Sequence, residues 1–140
     1  MAGAVLGFLE TRYGLGPEAL GGHTLWHRPG TPALWIAARD VEPPTGRCTE
    51  GIGLCAFRDP PPKGKPTTVF LLRFGHLATR GVVEVDAASA EAFGPDVELP
   101  LADATLRGWV IVRHDGRVLG RGWASDGRLK CEQKRSWRGG

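Results

Sequence analysis

The residue types with the most chemical potential lie in the last quarter of the chain, where Arg and Trp are interleaved with glycine. Positions 106–140 hold nine basic residues, Arg107, Arg113, Arg117, Arg121, Arg128, Lys130, Lys134, Arg135 and Arg138, against three acidic ones, Asp115, Asp126 and Glu132. That quarter therefore carries +6 and the rest −3, an asymmetry hidden by the overall +3. Clustered cations raise the local potential and release counterions on meeting phosphates, so the pattern points to a polyanionic partner. The competing use of such a segment is a solubilising surface. Arg supplies 14 of the 18 basic residues, and its planar donor fork suits phosphates and base edges, although a GC-rich genome would enrich Arg together with Gly, Ala and Pro. In RVLGRGW (117–123) a regular strand would set Arg117, Leu119, Arg121 and Trp123 on one face. Arg beside Trp can hold a phosphate and stack an unpaired base. The ordinary place for Trp109 and Trp123 is nonetheless a core, whereas Trp137, between Arg135 and Arg138, is expected to face a ligand or cover the fold.

Other chemistries find fewer of the residues they need. His23 and His27 have the spacing of two ligands on a helix, but TLW between them and Arg28-Pro29-Gly30 after them make the segment extended. Cys48 and Cys55 lie too far apart for a metal knuckle, and Cys55 sits in the apolar run GLCAF, where a buried thiol is the ordinary case. With Cys131 they read as three reduced thiols, in keeping with a cytoplasmic protein. No GxSxG elbow, Walker loop or GxGxxG after a strand is present. The carboxylates of Asp40 and Glu42, or of Glu84 and Asp86, have no partner acid in the sequence. An enzyme would therefore lack a nucleophile, a metal site and a cofactor loop. No metal or cofactor is expected.

The elements that must position these residues follow from local pattern. The length of 140 residues suits one compact domain, or two small ones sharing a core, able to bury about two-thirds of the unfolded surface. Val5, Phe8 and Leu9 predict a helix over 3–13 closed by Gly14, and Pro17 opens a second short helix over PEAL. HTLWHR (23–28) and ALWIAA (33–38) flank PGTP and read as a hairpin, with a third strand over 51–57. DPPPKGKP (59–66) is neither helix nor central strand and forms the likeliest boundary in composition. After it, TTVFLLRFG (67–75) and HLATRGVVEV (76–85) are rich in β-branched and aromatic residues and predict strands. Asp86 caps a helix over AASAEAF. GWVIVR and RVLGRGW flank His114-Asp115-Gly116 as a hairpin, and Asp126-Gly127 turns the chain into RLKCE. Close strands with tight turns in this half predict a small barrel. The start, MAGAVLGFLETRYG, has no basic n-region and does not read as a signal peptide, and no apolar run is long enough to span a bilayer.

GWVIVRHDGRVLGRGWASDGRLKCEQKRSWRG resembles the PUA-type RNA-binding domain at the C-terminus of Sun-family cytosine-5 RNA methyltransferases. The residues that carry the resemblance are Gly108, Val118, Leu119, Gly120, Gly122, Gly127, Leu129 and Lys130. TTVFLLRFGHLATRGVVEVD is similar to the preceding part of those domains, and FLETRYGLGPEAL with LWHRPGTPALWIAA to the small module before them. The resemblance implies an α+β fold, with a small α/β module over 1–58, a Pro-rich connector over 59–66 and a PUA-like mixed β pseudo-barrel over 67–140. The S-adenosylmethionine loop and nucleophilic cysteine of the methyltransferases belong to a catalytic domain that has no counterpart here, so RNA recognition is implied and methylation is not.

The expectation is therefore a cytoplasmic, non-catalytic protein that binds structured ribosomal or transfer RNA, in ribosome biogenesis or RNA modification. Arg113, Arg121, Arg128 and Lys130 are expected as strand-borne phosphate contacts, Lys134, Arg135 and Arg138 as a basic tail, and Trp137 as a stacking residue. An RNA methyltransferase or a ribosome-assembly factor is the expected protein partner, and no membrane is expected. The competing reading is a protein-interaction adaptor in ribosome assembly, whose basic C-terminal face meets an acidic partner and whose tryptophans form a hot spot.

Overall fold

The computed structural model describes residues 2–27, 30, 32–38, 53–61, 64–94 and 97–132. Helix α1 (Ala2–Tyr13) buries Val5, Leu9 and Tyr13, three residues spaced by four, while Leu6 and Glu10 stay exposed. It ends where Gly14 takes φ +66°, and a Cβ there would fall on the Thr79 hydroxyl. Pro17 begins the single turn α2 (Pro17–Leu20), whose Leu20 returns to the same core. The expected hairpin then forms. Strands β1 (His23–His27), β2 (Leu34–Ala38) and β3 (Leu54–Phe57) make an antiparallel sheet in the order β1-β2-β3.

The chain returns along β3 through Pro66, which bridges to Phe57, and the Thr67 N–H donates to Ala56 O at 2.8 Å. Here the structure corrects an expected strand: TTVFLLRFG folds as helix α3 (Thr68–Phe74). The Thr67 hydroxyl caps it by accepting from the Phe70 N–H at 3.2 Å, and it donates to Cys55 O at 2.5 Å, tying the helix start to β3. Phe70, Leu71 and Phe74 are buried at helical spacing, which outweighs the β preference of Thr, Val and Phe. A 3₁₀ turn, Gly75–Leu77, follows where strand was also expected. Only Val82–Glu84 of that stretch is extended, as β4.

The second half is a curled five-stranded half-barrel, so the fold is α+β. The Asp86 carboxylate caps α4 (Ala87–Ala92) by accepting from the Ser89 N–H at 2.8 Å, a bond that holds its carboxyl below the ordinary range. Strand β5 (Glu98–Pro100) leads to β6 (Gly108–His114), β7 (Arg117–Ser125) and β8 (Arg128–Glu132), giving the order β4-β6-β7-β8-β5. Strand β4 runs parallel to β6, and the other pairs are antiparallel. Both hairpin turns are Asp-Gly pairs with positive φ at each central residue, 52° and 81° at Asp115-Gly116 and 52° and 75° at Asp126-Gly127.

Two cores result, and β6 belongs to both. Ile111 joins α1, the first sheet and α3 in one cluster, while its neighbours Val110 and Val112 point to the opposite side. There they pack with Phe93, Ala124, Leu129 and Cys131 inside the curled sheet. Arg12 fastens the halves by donating to Arg107 O and Trp109 O at 2.7 and 2.9 Å, and the Tyr13 hydroxyl donates to Trp109 O at 3.0 Å. Among the described residues no helix is long and apolar enough to cross a membrane.

Candidate functional site

Strand β7 carries the Arg–Trp pattern read from RVLGRGW, but its alternation is broken. Its pairing with β6 steps from Val112↔Gly120 to Arg113↔Val118, leaving Leu119 as an unopposed bulge residue. Leu119 packs against the inner cluster and Val118 against the outer one, so Leu119 does not share a face with Arg121 and Trp123. The outer face of β6–β7–β8 instead aligns Trp109 with Trp123, Ile111 with Arg121, Trp123 with Lys130 and Arg121 with Glu132.

At one end of this face the arginines are committed to the scaffold. Arg113 Nη1 donates to the carbonyls of Gly75, His76 and Ala78 at 3.3, 3.2 and 2.9 Å, and its Nε bonds Glu84 at 2.7 Å. It thus ties β6 to the 3₁₀ turn and the residue after it, sharing Gly75 O with the Ala78 N–H. Arg121, expected as a surface phosphate contact, is only 6% exposed. Its Nη1 donates to Pro66 O at 3.0 Å and to the Thr68 hydroxyl at 3.2 Å, and Nη2 lies 3.6 Å from Glu132. Burial pulls its pKa down from the ordinary value, and the Glu132 carboxylate opposes that shift. Sequence pattern alone misplaces Arg121 because its partners lie more than fifty residues earlier in the chain.

Among the described residues the other end of the face is open. Trp109 and Trp123 meet edge to face with centroids 4.9 Å apart at 71°, and Trp123 is 44% exposed. Lys65 Nζ stands 5.1 Å from the Trp109 ring centroid and pairs with Glu132 at 2.5 Å. Lys130, opposite Trp123 in the ladder, is exposed and makes no ion pair among the described residues. Arg128 is exposed beside it and pairs with Glu98 at 3.3 Å across the sheet edge. Of the expected contacts, Lys130 and Arg128 therefore gather around a tryptophan edge, while Lys134, Arg135, Trp137 and Arg138 lie outside the described residues. Lys65 and the exposed state of Trp123 were missed from sequence. The first comes from the Pro-rich segment, and the second depends on which face α3 leaves uncovered.

Other reactive groups are quiet. Burial pushes the Cys55 thiol up, and its Sγ donates to Phe57 O at 3.5 Å, so the neutral thiol prevails near pH 7. Cys131 is likewise raised by burial inside the barrel. His23 bonds Gly21 O at 3.2 Å and packs edge-on against Phe74 at 5.1 Å. A hollow of about 910 Å³ beside α1 and α2 is lined by Glu10, Glu18 and Arg80, a set with excess negative charge and unsuited to a polyanion. Compared with known families and characterised proteins, the chain matches no family model and no curated protein.

Proposed function

We propose that this chain is a non-catalytic RNA-binding protein of PUA-like type that recognises structured ribosomal or transfer RNA. The observation that supports this most is the open end of the β6–β7–β8 face. An exposed Trp123, held edge-on by Trp109, stands among Lys65, Lys130 and Arg128. A base can stack on a half-exposed indole held by its neighbour while the lysines take the adjoining phosphates. The resemblance of residues 108–130 to PUA-type domains agrees with this use of the same strands. The rest of the proposal, a place beside an RNA methyltransferase or an assembly factor in the cytoplasm, rests on that resemblance.

Filter binding of the full chain to transfer RNA and to ribosomal RNA fragments, across a salt series, tests the reading. Retention that falls steeply with salt and is weakened by Trp123→Ala supports it. Binding to neither RNA class, with the fold intact, overturns it.

A further inference from the structure

A cleft of about 400 Å³ opens between the first sheet and α3, next to the open aromatic face. Arg58, Lys65 and Arg121 line it together with Trp35, Asp59 and Thr68. We infer that this cleft receives one unpaired nucleotide of a bound RNA strand, with its phosphate on Arg58 and Lys65 and its base against Trp35. The inference rests on the RNA-binding reading above and adds to it a substrate form, a nucleotide drawn out of the stack, and a second set of contacts.

Size, charge and continuity support it. The volume lies in the range of small-molecule clefts, which hold a mononucleotide but not a helix. Three cations meet two carboxylates there, Asp59 in the lining and Glu132 behind Lys65 and Arg121, so one positive charge is left over. Arg58 is exposed and makes no ion pair among the described residues. It stands close enough to Arg121 to oppose the charge of that buried guanidinium, behind burial and Glu132 in effect. An anion between them relieves that repulsion. Arg121 Nε is buried and has no hydrogen-bond partner among the described residues, so the guanidinium beside the cleft is not fully satisfied by its own scaffold. Trp35 is half-buried and backed by Trp26 at 6.1 Å and 23° between planes, which makes it a fixed platform for a base. Lys65 belongs to both places, lining the cleft and lying over the Trp109 ring. A strand that stacks on Trp123 thus reaches the cleft without leaving basic surface.

The test uses the full chain and follows tryptophan indole N–H signals by NMR as the four nucleoside 5′-monophosphates, and separately inorganic phosphate, are added. A monophosphate should shift the Trp35 signal, and inorganic phosphate should leave it in place. Arg58→Glu, a change at an exposed side chain, should weaken both monophosphate binding and the binding of a ten-nucleotide single-stranded RNA by about tenfold or more. Trp123→Ala should weaken the RNA and spare the monophosphate. An unmoved Trp35 signal, together with wild-type RNA affinity in Arg58→Glu, overturns the cleft and leaves the RNA reading intact. Failure of the wild-type chain to bind any RNA overturns that reading and this inference with it.

Discussion

The two ends of the β6–β7–β8 outer face both carry basic residues and set them in opposite environments. At the covered end, Arg113 lies under the 3₁₀ turn and Arg121 beside the residues that lead into α3, where backbone carbonyls point at the sheet and a guanidinium fork supplies several donors at once. At the open end, Lys130 and Arg128 flank a tryptophan that no described element covers. What separates scaffold arginines from surface cations is the supply of backbone carbonyls within reach, and no count of basic residues records it. The comparison can be broken by substituting one residue at a time along the face.

The largest effect is expected at Arg121. Arg121→Ala removes the donors to Pro66 O and the Thr68 hydroxyl and leaves Glu132 to Lys65 alone. Loss of a buried, bonded charge of this kind costs about 3 kcal/mol, visible as a lower midpoint in urea unfolding. An unchanged midpoint would move Arg121 to the binding side of the comparison. Arg113→Ala should follow at about 2 kcal/mol, since three carbonyls lose one donor group and Glu84 loses its partner. Arg113→Lys should restore only part of that loss, because an ammonium cannot reach Glu84 and the turn carbonyls as a planar fork does.

Trp123→Ala reverses the pattern. The side chain is nearly half exposed, so unfolding should shift by under about 1 kcal/mol. RNA affinity should fall by about 1–3 kcal/mol, the worth of one base stacked on an aromatic ring. A large loss of stability would instead make the Trp109–Trp123 contact a packing element.

Much of this architecture was legible from local chemistry. The two Asp-Gly turns, the Asp86 cap, the Pro17 helix start and the first hairpin all depend on residues within a few positions of one another. Helix α3 was hidden because its β-branched and aromatic content argues for strand, and only the spacing of Phe70, Leu71 and Phe74 argues otherwise. The site was less legible still. The bulge at Leu119 reassigns faces along β7, and the burial of Arg121 is decided by Pro66 and Thr68, which local pattern cannot bring near it. Lys65 lay in a segment read as a connector, yet it joins the open aromatic face to the cleft.

The smallest and most discriminating effects belong to Lys130 and Arg128. Lys130 makes no ion pair among the described residues, and the Arg128–Glu98 pair is exposed at both partners, so neither truncation should move the unfolding midpoint measurably. If each meets one phosphate, each alanine variant should reduce the slope of log affinity against log salt by about 0.7–0.9. Arg128 should show the weaker effect on affinity, because its charge is already partly answered by Glu98 and that carboxylate, once freed, repels the same phosphate. Glu98→Gln offers the converse: it releases Arg128 without removing it and should strengthen binding slightly at low salt. Equal slopes in wild type, Lys130→Ala and Arg128→Ala would place the phosphates elsewhere and leave the open end of the face to its tryptophans alone.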